Sequence, residues 1–188
     1  MRVIGGTARG RKLKEPFGES IRPTGDMVKE SVFNIVQFDV EGRSVLDLYA
    51  GTGQLGIEAI SRGASGCVFV DRDPAAAKLV RENVKLCGFS ENARILARDA
   101  VAFLKGAEKF DLIFVDPPYD TELAAKTLLK IIEFDKLNLN GIIICETRMD
   151  TAMPDVPQPY LLRKEYKYGK VRISRYDKVA DWELRAEP

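Results

Sequence analysis

From residue 44 onward, short apolar runs alternate along the chain with segments that have the spacing of amphipathic helices. Such alternation is typical of βαβ units, in which helices cover both faces of a mostly parallel sheet. We therefore predict an α/β fold. Strands are expected at residues 44–49, 67–71, 93–96, 112–115 and 141–146, and helices near residues 54–62, 74–86, 100–104 and 122–134.

The alternation of apolar runs with helical patterns ends after residue 146. Residues 150–159 contain three prolines and are expected to form a loop, and residues 160–166 and 171–176 follow it on either side of Tyr168 and Gly169. This pattern predicts an antiparallel hairpin with Tyr168-Gly169 at its turn. Dinucleotide-binding folds end in parallel strands instead, so the ending favours the sheet of a methyltransferase.

Ahead of the sheet, Thr24 is predicted to cap a helix over residues 26–36, where Val28, Val32 and Ile35 share an apolar face. Residues 1–20 are rich in glycine and basic side chains and predict a small β-hairpin or ordered arm. The 188 residues, of which 45% are apolar, suffice for one substantial core. We expect an arm at 1–20, one catalytic domain at 21–178 and a peripheral tail at 179–188.

Composition excludes several classes of protein. The chain has no histidine, which removes Ser-His and Cys-His nucleophilic pairs and the usual general base near neutral pH. Cys67, Cys87 and Cys145 are far apart, so we expect buried reduced thiols and neither a disulfide framework nor a bound metal. No run of about 18 apolar residues predicts a membrane span, and the expected location is the cytoplasm.

The net charge of +1 conceals two basic clusters. Residues 1–14 carry five Lys or Arg and no acidic residue, and residues 163–178, which include Lys170, carry seven against Glu165 and Asp177. Such clusters are typical of a surface that contacts a phosphate backbone, and solvated surface charge is the alternative.

The strongest local signal is a glycine-rich run at residues 45–56. Gly51, Gly53 and Gly56 satisfy G-x-G-x-x-G, in which a strand turns sharply into a helix whose free N–H groups a ligand can approach. The glycines alone fit a dinucleotide as well as S-adenosylmethionine. The candidate cofactor residues in this run are Asp47, Tyr49, Ala50, Gly51, Thr52, Gly53 and Gly56.

Asp47 distinguishes between S-adenosylmethionine and a dinucleotide as the expected cofactor. Its carboxylate, four residues before Gly51, can receive the ammonium group of a methionine moiety, whereas it would repel a pyrophosphate. The alternative is that Asp47 only accepts a hydrogen bond from the loop backbone.

Two further carboxylates follow the next two strands. Asp71, twenty residues after Gly51, can accept both ribose hydroxyls, as it would also do for NAD. Asp99 can accept the adenine amino group or, alternatively, cap a helix. Their neighbours Arg72 and Ala100 complete this part of the candidate cofactor site.

The candidate catalytic residues are Asp116, Pro117, Pro118 and Tyr119, directly after a buried strand. Open α/β sheets bind ligands at this edge. Two prolines fix the backbone and remove two N–H donors, so the Asp116 carboxylate and the Pro117 carbonyl can accept both hydrogens of an exocyclic –NH2. Tyr119 offers a face for base stacking. The alternative is a tight turn with a buried tyrosine.

Together these motifs resemble those of the Rossmann-like class I S-adenosylmethionine-dependent methyltransferases that act on amino groups. Residues 1–11, Ile21-Arg22-Pro23-Thr24 and residues 30–35 narrow the resemblance to the RsmD family of bacterial ribosomal RNA methyltransferases, over residues 1–178. Tyr49 stands where many relatives are expected to have Phe, which keeps an aromatic wall.

Membership in this family would imply methylation of the N2 amino group of a guanine in small-subunit ribosomal RNA, on an assembled or assembling particle. The resemblance also implies that Arg22, Pro23 and Thr24 line the cofactor site. It further implies that the arm around Arg9, Arg11 and Lys12 approaches RNA. A monomer is the simpler expectation.

Three other readings fit parts of the pattern. An N6-adenine methyltransferase would use the same Asp-Pro-Pro-Tyr, although a DNA enzyme normally carries a separate recognition region. A nicotinamide oxidoreductase would leave Asp116 and Tyr119 without a role. A non-catalytic RNA-binding assembly factor would keep these motifs and transfer no methyl.

Overall fold

Continuous apolar runs form the central strands of the protein, because a strand covered on both faces needs no polar alternation. In the computed structural model, which describes residues 1–16, 23–118 and 122–180, the chain divides into two compact units, Met1–Ala100 and Val101–Pro188. We call them the first and the second unit.

The first unit contains three strands and the helices between them. Its elements are α1 (Pro23–Ile35), β1 (Ser44–Leu48), α2 (Gln54–Ser61), β2 (Gly66–Asp71), α3 (Pro74–Cys87) and β3 (Ala93–Ala97). The strands are parallel in the order β3-β2-β1, with Leu46 opposite Val68 and Val68 opposite Arg94. Helix α4 (Ala100–Leu104) follows β3; its first residue is the last of the first unit, and its other four residues belong to the second unit.

The second unit contains β4 (Phe110–Val115), α5 (Leu123–Glu133), β5 (Leu137–Arg148), β6 (Tyr160–Tyr168) and β7 (Val171–Lys178). Its strands lie in the order β4-β5-β7-β6. Strands β4 and β5 are parallel, whereas β7 runs antiparallel to both β5 and β6. The predicted α/β fold, with mostly parallel strands and a terminal antiparallel hairpin, is therefore confirmed.

Burial follows the predicted pattern in both units. Leu46 and Leu48 of β1 are 0% exposed, and so are Leu112, Ile113 and Phe114 of β4. The predicted burial of the three cysteines is also confirmed, and all three are free thiols. Among the described residues, no helix is long and apolar enough to cross a membrane.

Three local predictions differ from the structure. Helix α1 begins at Pro23, so the prediction that Thr24 caps it is wrong. Proline favours the first helical position because its fixed φ suits a helix and its missing N–H would have had no partner there. Strand β6 extends to Tyr168, which pairs with Val171, so Gly169 and Lys170 form the turn rather than Tyr168 and Gly169.

The third difference is the start of β5. The strand begins at Leu137, four residues before the predicted position, and its register against β4 shifts between Phe110 and Leu112. Asn140 has a φ of 60°, which marks the irregular position. The irregularity separates Leu137 from the continuous apolar run, and sequence periodicity alone therefore places the start too late.

The first sixteen residues fold back on themselves within the first unit. Arg2 and Lys12 form an antiparallel bridge, and the Val3 N–H donates to the Arg11 carbonyl at 3.0 Å. This segment, residues 1–16, is called the arm below. The division into an arm at 1–20, a catalytic domain at 21–178 and a tail at 179–188 stays a prediction.

Candidate functional site

The glycine turn after β1 has an unusual backbone. Tyr49, Gly51 and Gly53 have φ values of 64°, 55° and 78°, all in the left-handed region. A tyrosine rarely adopts this conformation, and such residues cluster where a chain is shaped for a ligand. The turn is held by the Gly53 N–H, which donates to the Ala50 carbonyl at 2.7 Å, and by the Ala50 N–H, which donates to Val70 at 3.1 Å.

Gly56 has a packing role, and its predicted place in the cofactor site stays a prediction. It lies in α2, and a Cβ at this position would stand 2.3 Å from Phe69 Cε1 and 2.6 Å from Cys67 Sγ. Both neighbours are buried side chains of β2. The third glycine of the motif therefore lets α2 approach the sheet closely.

Asp47 is buried in β1, with 2% of its surface exposed, and its Oδ2 accepts a hydrogen bond from the Gly56 N–H at 2.9 Å. Burial raises the pKa of this carboxyl to about 7; the Gly56 hydrogen bond opposes the rise and the charge of Asp71 adds to it. The structure thus contains the backbone hydrogen bond that was the alternative reading of Asp47. Its contact with a methionine ammonium group stays a prediction.

Asp71 ends β2 and joins two loops. Its Oδ2 accepts from the Gly51 N–H at 2.9 Å, and its Oδ1 accepts from the Asp73 N–H at 2.9 Å. Each carboxylate oxygen has a second lone pair, so both can also accept a hydroxyl. The carboxylate is therefore held in place beside the glycine turn, as a ribose ligand would require.

Asp99 lies at the same strand edge as Asp71. Asp71 pairs with Ala97 in the parallel β2/β3 register, and the Arg98 N–H donates to the Asp71 carbonyl at 2.8 Å. Asp99 is exposed and immediately precedes α4, whose first residue, Ala100, is buried. Arg72 is exposed between Asp71 and Asp73. The structure thus brings the predicted residues of the second and third loops together.

The second unit contains the Asp-Pro-Pro segment. The three residues follow β4 directly. Asp116 is half-buried, Pro117 is buried and Pro118 is exposed. A buried strand therefore fixes the position from which this segment leaves the sheet. Tyr119 lies outside the described residues, as does Arg22, and only the backbone of Pro23 and Thr24 is described, within α1.

Sequence reasoning missed the buried polar residues that attach the arm to α2 and α3. Glu58 is 0% exposed and accepts from the N–H groups of Ile4 and Gly5, each at 2.7 Å. Ser61 Oγ donates to the Gly5 carbonyl at 2.6 Å and accepts from the Ala8 N–H at 2.9 Å. Asn83 bonds the backbone of Lys14.

These residues had a weak signal in the sequence. Asn83 lies on the buried face of α3 with Val80, Val84 and Cys87, where an unpaired amide would be costly. A polar residue on an apolar stripe indicates a partner from elsewhere in the chain, but the stripe does not identify it. Asp73, the N-cap of α3 through its bond from the Ala75 N–H at 2.8 Å, was detectable from the Asp-Pro pair.

The two basic clusters differ in how their charge is used. Arg9, Arg11 and Lys12 are exposed at the turn of the arm. In the C-terminal cluster, many cations instead form ion pairs: Arg163 and Arg175 with Asp177 at 3.1 and 2.8 Å, Arg172 with Glu165 at 3.4 Å, and Lys178 with Asp135. Lys170 is exposed in the β6–β7 turn. The C-terminal cluster therefore presents less positive charge than its sequence suggests.

Comparison with known proteins identifies the family. The family model described as Conserved hypothetical protein 95 matches residues 1–177. The Escherichia coli (strain K12) protein named Ribosomal RNA small subunit methyltransferase D is 33% identical over 189 residues, covering 100% of this chain and 94% of the relative. Its namesake in Haemophilus influenzae is 36% identical over 180 residues, covering 94% and 93%.

Solved structures agree with these relatives. The yhhF protein of Escherichia coli superimposes with a TM-score of 0.85 at 30% identity, and the match covers 96% of this chain and 99% of that one. The predicted methyltransferase fold is thus confirmed along nearly the whole length. The chain belongs to the RsmD family, the family of the small-subunit ribosomal RNA methyltransferases, as its motifs had indicated.

Proposed function

We propose that this chain transfers a methyl group from S-adenosylmethionine to the N2 amino group of a guanine in small-subunit ribosomal RNA. The observation that carries the proposal is the Asp116-Pro117-Pro118 segment, which directly follows the buried strand β4. It supplies acceptor oxygens on a rigid backbone. The names of the relatives support the RNA substrate.

The glycine turn fits S-adenosylmethionine, which when bound supplies an electrophilic methyl group. Among the residues that the structure describes, a Cβ added at Gly51 would have only the Tyr49 carbonyl oxygen, at 3.9 Å, as a neighbour, so these residues leave the space beside the turn open. Asp71 would hold the ribose hydroxyls and Asp99 the adenine amino group. Asp47 would face the methionine ammonium group, whose positive charge favours the ionised carboxylate.

The Asp-Pro-Pro segment receives the base. The Asp116 carboxylate and the Pro117 carbonyl accept the two hydrogens of the exocyclic amino group, which directs the nitrogen lone pair away from both oxygens. These oxygens also stabilise the positive charge that develops on nitrogen as the new bond forms. The methylated nitrogen then releases one proton, which requires no strong base. A chain without histidine can therefore perform this reaction.

Residues outside the Asp-Pro-Pro segment make the other contacts with the RNA. Tyr119 stacks on the base, and Arg9, Arg11, Lys12 and Lys170 contact phosphates. The protein acts as a monomer in the cytoplasm, where its substrate is a ribosomal RNA or an assembling small-subunit particle. These contacts require only one copy of the chain.

The test is methyl transfer from labelled S-adenosylmethionine to purified small-subunit particles and to free small-subunit RNA, followed by mass analysis of the nucleosides. N2-methylguanosine is the expected product. N6-methyladenosine would instead identify an adenine enzyme that uses the same segment. Absence of transfer to both substrates, with cofactor binding intact, would identify a non-catalytic assembly factor, and binding of NAD in place of S-adenosylmethionine would identify an oxidoreductase.

A further inference from the structure

Asn83 connects the arm to the glycine turn. Its side chain is 0% exposed and lies on the inner face of α3. Oδ1 accepts from the Lys14 N–H at 2.7 Å, and Nδ2 donates to the Lys14 carbonyl at 3.1 Å and to the Thr52 carbonyl at 2.9 Å. One amide therefore holds the backbone of the arm and the backbone of the turn between Gly51 and Gly53.

Further contacts strengthen the same connection. Lys14 Nζ forms an ion pair with Glu82 at 2.7 Å, one residue before Asn83. The Thr52 hydroxyl donates to the sulfur of Met1 at 3.3 Å, and the Leu13 N–H donates to the Met1 carbonyl at 3.2 Å. The glycine turn thus contacts Met1 at the start of the arm directly and Lys14 near its end through Asn83.

Other buried polar residues, among them Glu58 and Ser61, bond the arm and make no hydrogen bond to the glycine turn. Glu58 and Ser61 bond the backbone of Ile4, Gly5 and Ala8, and both lie on α2. These contacts can hold the arm even when Asn83 is replaced. Asn83 is distinct because its third hydrogen bond ends on a residue of the glycine turn.

We propose that Asn83 is a positioning residue that couples RNA binding at the arm to cofactor binding at the glycine turn. The inference rests on the proposed function, since it assigns RNA to Arg11 and Lys12 and S-adenosylmethionine to the turn. Only Leu13 separates Lys12 from Lys14, so an RNA contact that orders Lys12 also orders the Lys14 backbone. Asn83 then fixes the Thr52 carbonyl and with it the conformation of the turn.

Such coupling is reciprocal. If RNA raises the affinity of the turn for the cofactor, the cofactor raises the affinity of the arm for RNA by the same factor. Each ligand would then bind more tightly to the protein that already holds the other ligand than to the free protein. Removal of the Asn83 amide would leave both binding sites present but independent.

The experiment measures the dissociation constant of S-adenosylhomocysteine with and without a saturating transcript of small-subunit ribosomal RNA. The wild type is expected to bind S-adenosylhomocysteine about fivefold or more tightly when RNA is present. In Asn83→Leu, whose side chain has the same branched shape but no hydrogen-bonding groups, the ratio is expected to fall to within about twofold of one. Asn83→Asp keeps the acceptor for Lys14 and loses the donor to Thr52, and it replaces the Leu variant if that protein does not fold.

Ser61→Ala is the matched control, because it also removes a buried polar group that bonds the arm backbone. It is expected to lower stability as much as the Asn83 variants and to keep the wild-type ratio. Coupling that survives in both Asn83 variants, or that Ser61→Ala abolishes equally, would overturn the inference. A wild type that binds S-adenosylhomocysteine and methylates RNA but has a ratio of one would overturn the coupling alone, whereas a wild type that binds no S-adenosylhomocysteine would overturn both proposals.

Discussion

The backbone N–H of Gly51 donates to Asp71 Oδ2 at 2.9 Å, which fixes the glycine turn to the end of the neighbouring strand. Because Oδ1 of the same carboxylate accepts from the Asp73 N–H, Asp71 positions two loops at once. The residue proposed to hold the ribose therefore also shapes the turn beside it.

Asp71→Asn is expected to weaken binding of S-adenosylmethionine about tenfold or more. The amide keeps one acceptor oxygen, but its –NH2 group faces a backbone N–H donor, and loss of such a bond costs about 1–3 kcal/mol. Isothermal titration calorimetry measures the affinity. Asp73→Asn is the control, since asparagine also caps helices, and it should bind as the wild type does. Equal affinities for wild type and Asp71→Asn would show that Asp71 does not contact the ligand.

Gly56→Ala is expected to destabilise the protein by about 1–3 kcal/mol, because the new methyl group would overlap Phe69 and Cys67. Thermal unfolding followed by circular dichroism measures the change. Gly88→Asn is the control: the φ of Gly88 is 79°, a conformation that asparagine tolerates, and a Cβ there meets no described residue within 4 Å. A larger loss in the control would contradict a packing role for Gly56.

Asp47 makes the stability of the fold depend on pH. Its folded pKa of about 7 lies above the ordinary value of 3.8, so its contribution is fully present below about pH 4 and is lost as the pH rises through 7. Asp47→Asn stays neutral throughout. Its free energy of unfolding, relative to wild type, should rise by a few kcal/mol between pH 5 and pH 8, since each pKa unit corresponds to about 1.4 kcal/mol.

Urea denaturation of both proteins at the two pH values gives this difference. Comparison at each pH cancels the titration of the other groups. A constant difference between the variants would mean that the Asp47 carboxyl does not change its charge in this range.

Asp116→Ala is expected to lower kcat about 100-fold or more and to leave the affinity for S-adenosylmethionine largely unchanged, because the proposed partner of the carboxylate is the base and not the cofactor. Single-turnover methyl transfer and calorimetry measure the two quantities. Asp116→Asn keeps one acceptor oxygen and should retain more activity. Simultaneous loss of transfer and of cofactor binding in the alanine variant would assign Asp116 a different role.

Replacement of Arg9, Arg11 and Lys12 by Ala is expected to weaken RNA binding and to reduce the slope of log K against log salt by roughly 2–3. Filter binding at several salt concentrations measures the slope. Arg163→Ala with Arg175→Ala is the control, since both arginines pair with Asp177 and should alter the slope less. An unchanged slope in the arm variant would show that the arm does not contact phosphates.

The parallel strands were predictable because they are short, mostly apolar runs, and in β4 this agrees with the burial of Leu112, Ile113 and Phe114. The helix cap at Thr24 was not, since Pro23 occupies the first helical position and displaces the start of the helix. The late prediction of β5 has a similar origin, because periodicity is lost at the irregular Asn140.

The candidate site was predictable where its contacts are local. Asp71 is the last residue of β2, and Gly51 and Asp73 lie two or three residues after a strand. The ends of these strands can be predicted from the sequence. Asn83 bonds Lys14 and Thr52, which are 69 and 31 residues away, and no local pattern specifies such partners. Tertiary hydrogen bonds from buried helix faces are therefore the part of the site that the sequence alone does not predict.

The arm is attached through its main chain: Glu58, Ser61 and Asn83 bond N–H and carbonyl groups that every sequence provides. The exposed side chains of Arg9, Arg11 and Lys12 form none of these attachments, in contrast to Lys14, which pairs with Glu82. Exchange of these three residues would therefore alter the contacts that the arm is proposed to make with RNA and leave its attachment to α2 and α3 unchanged.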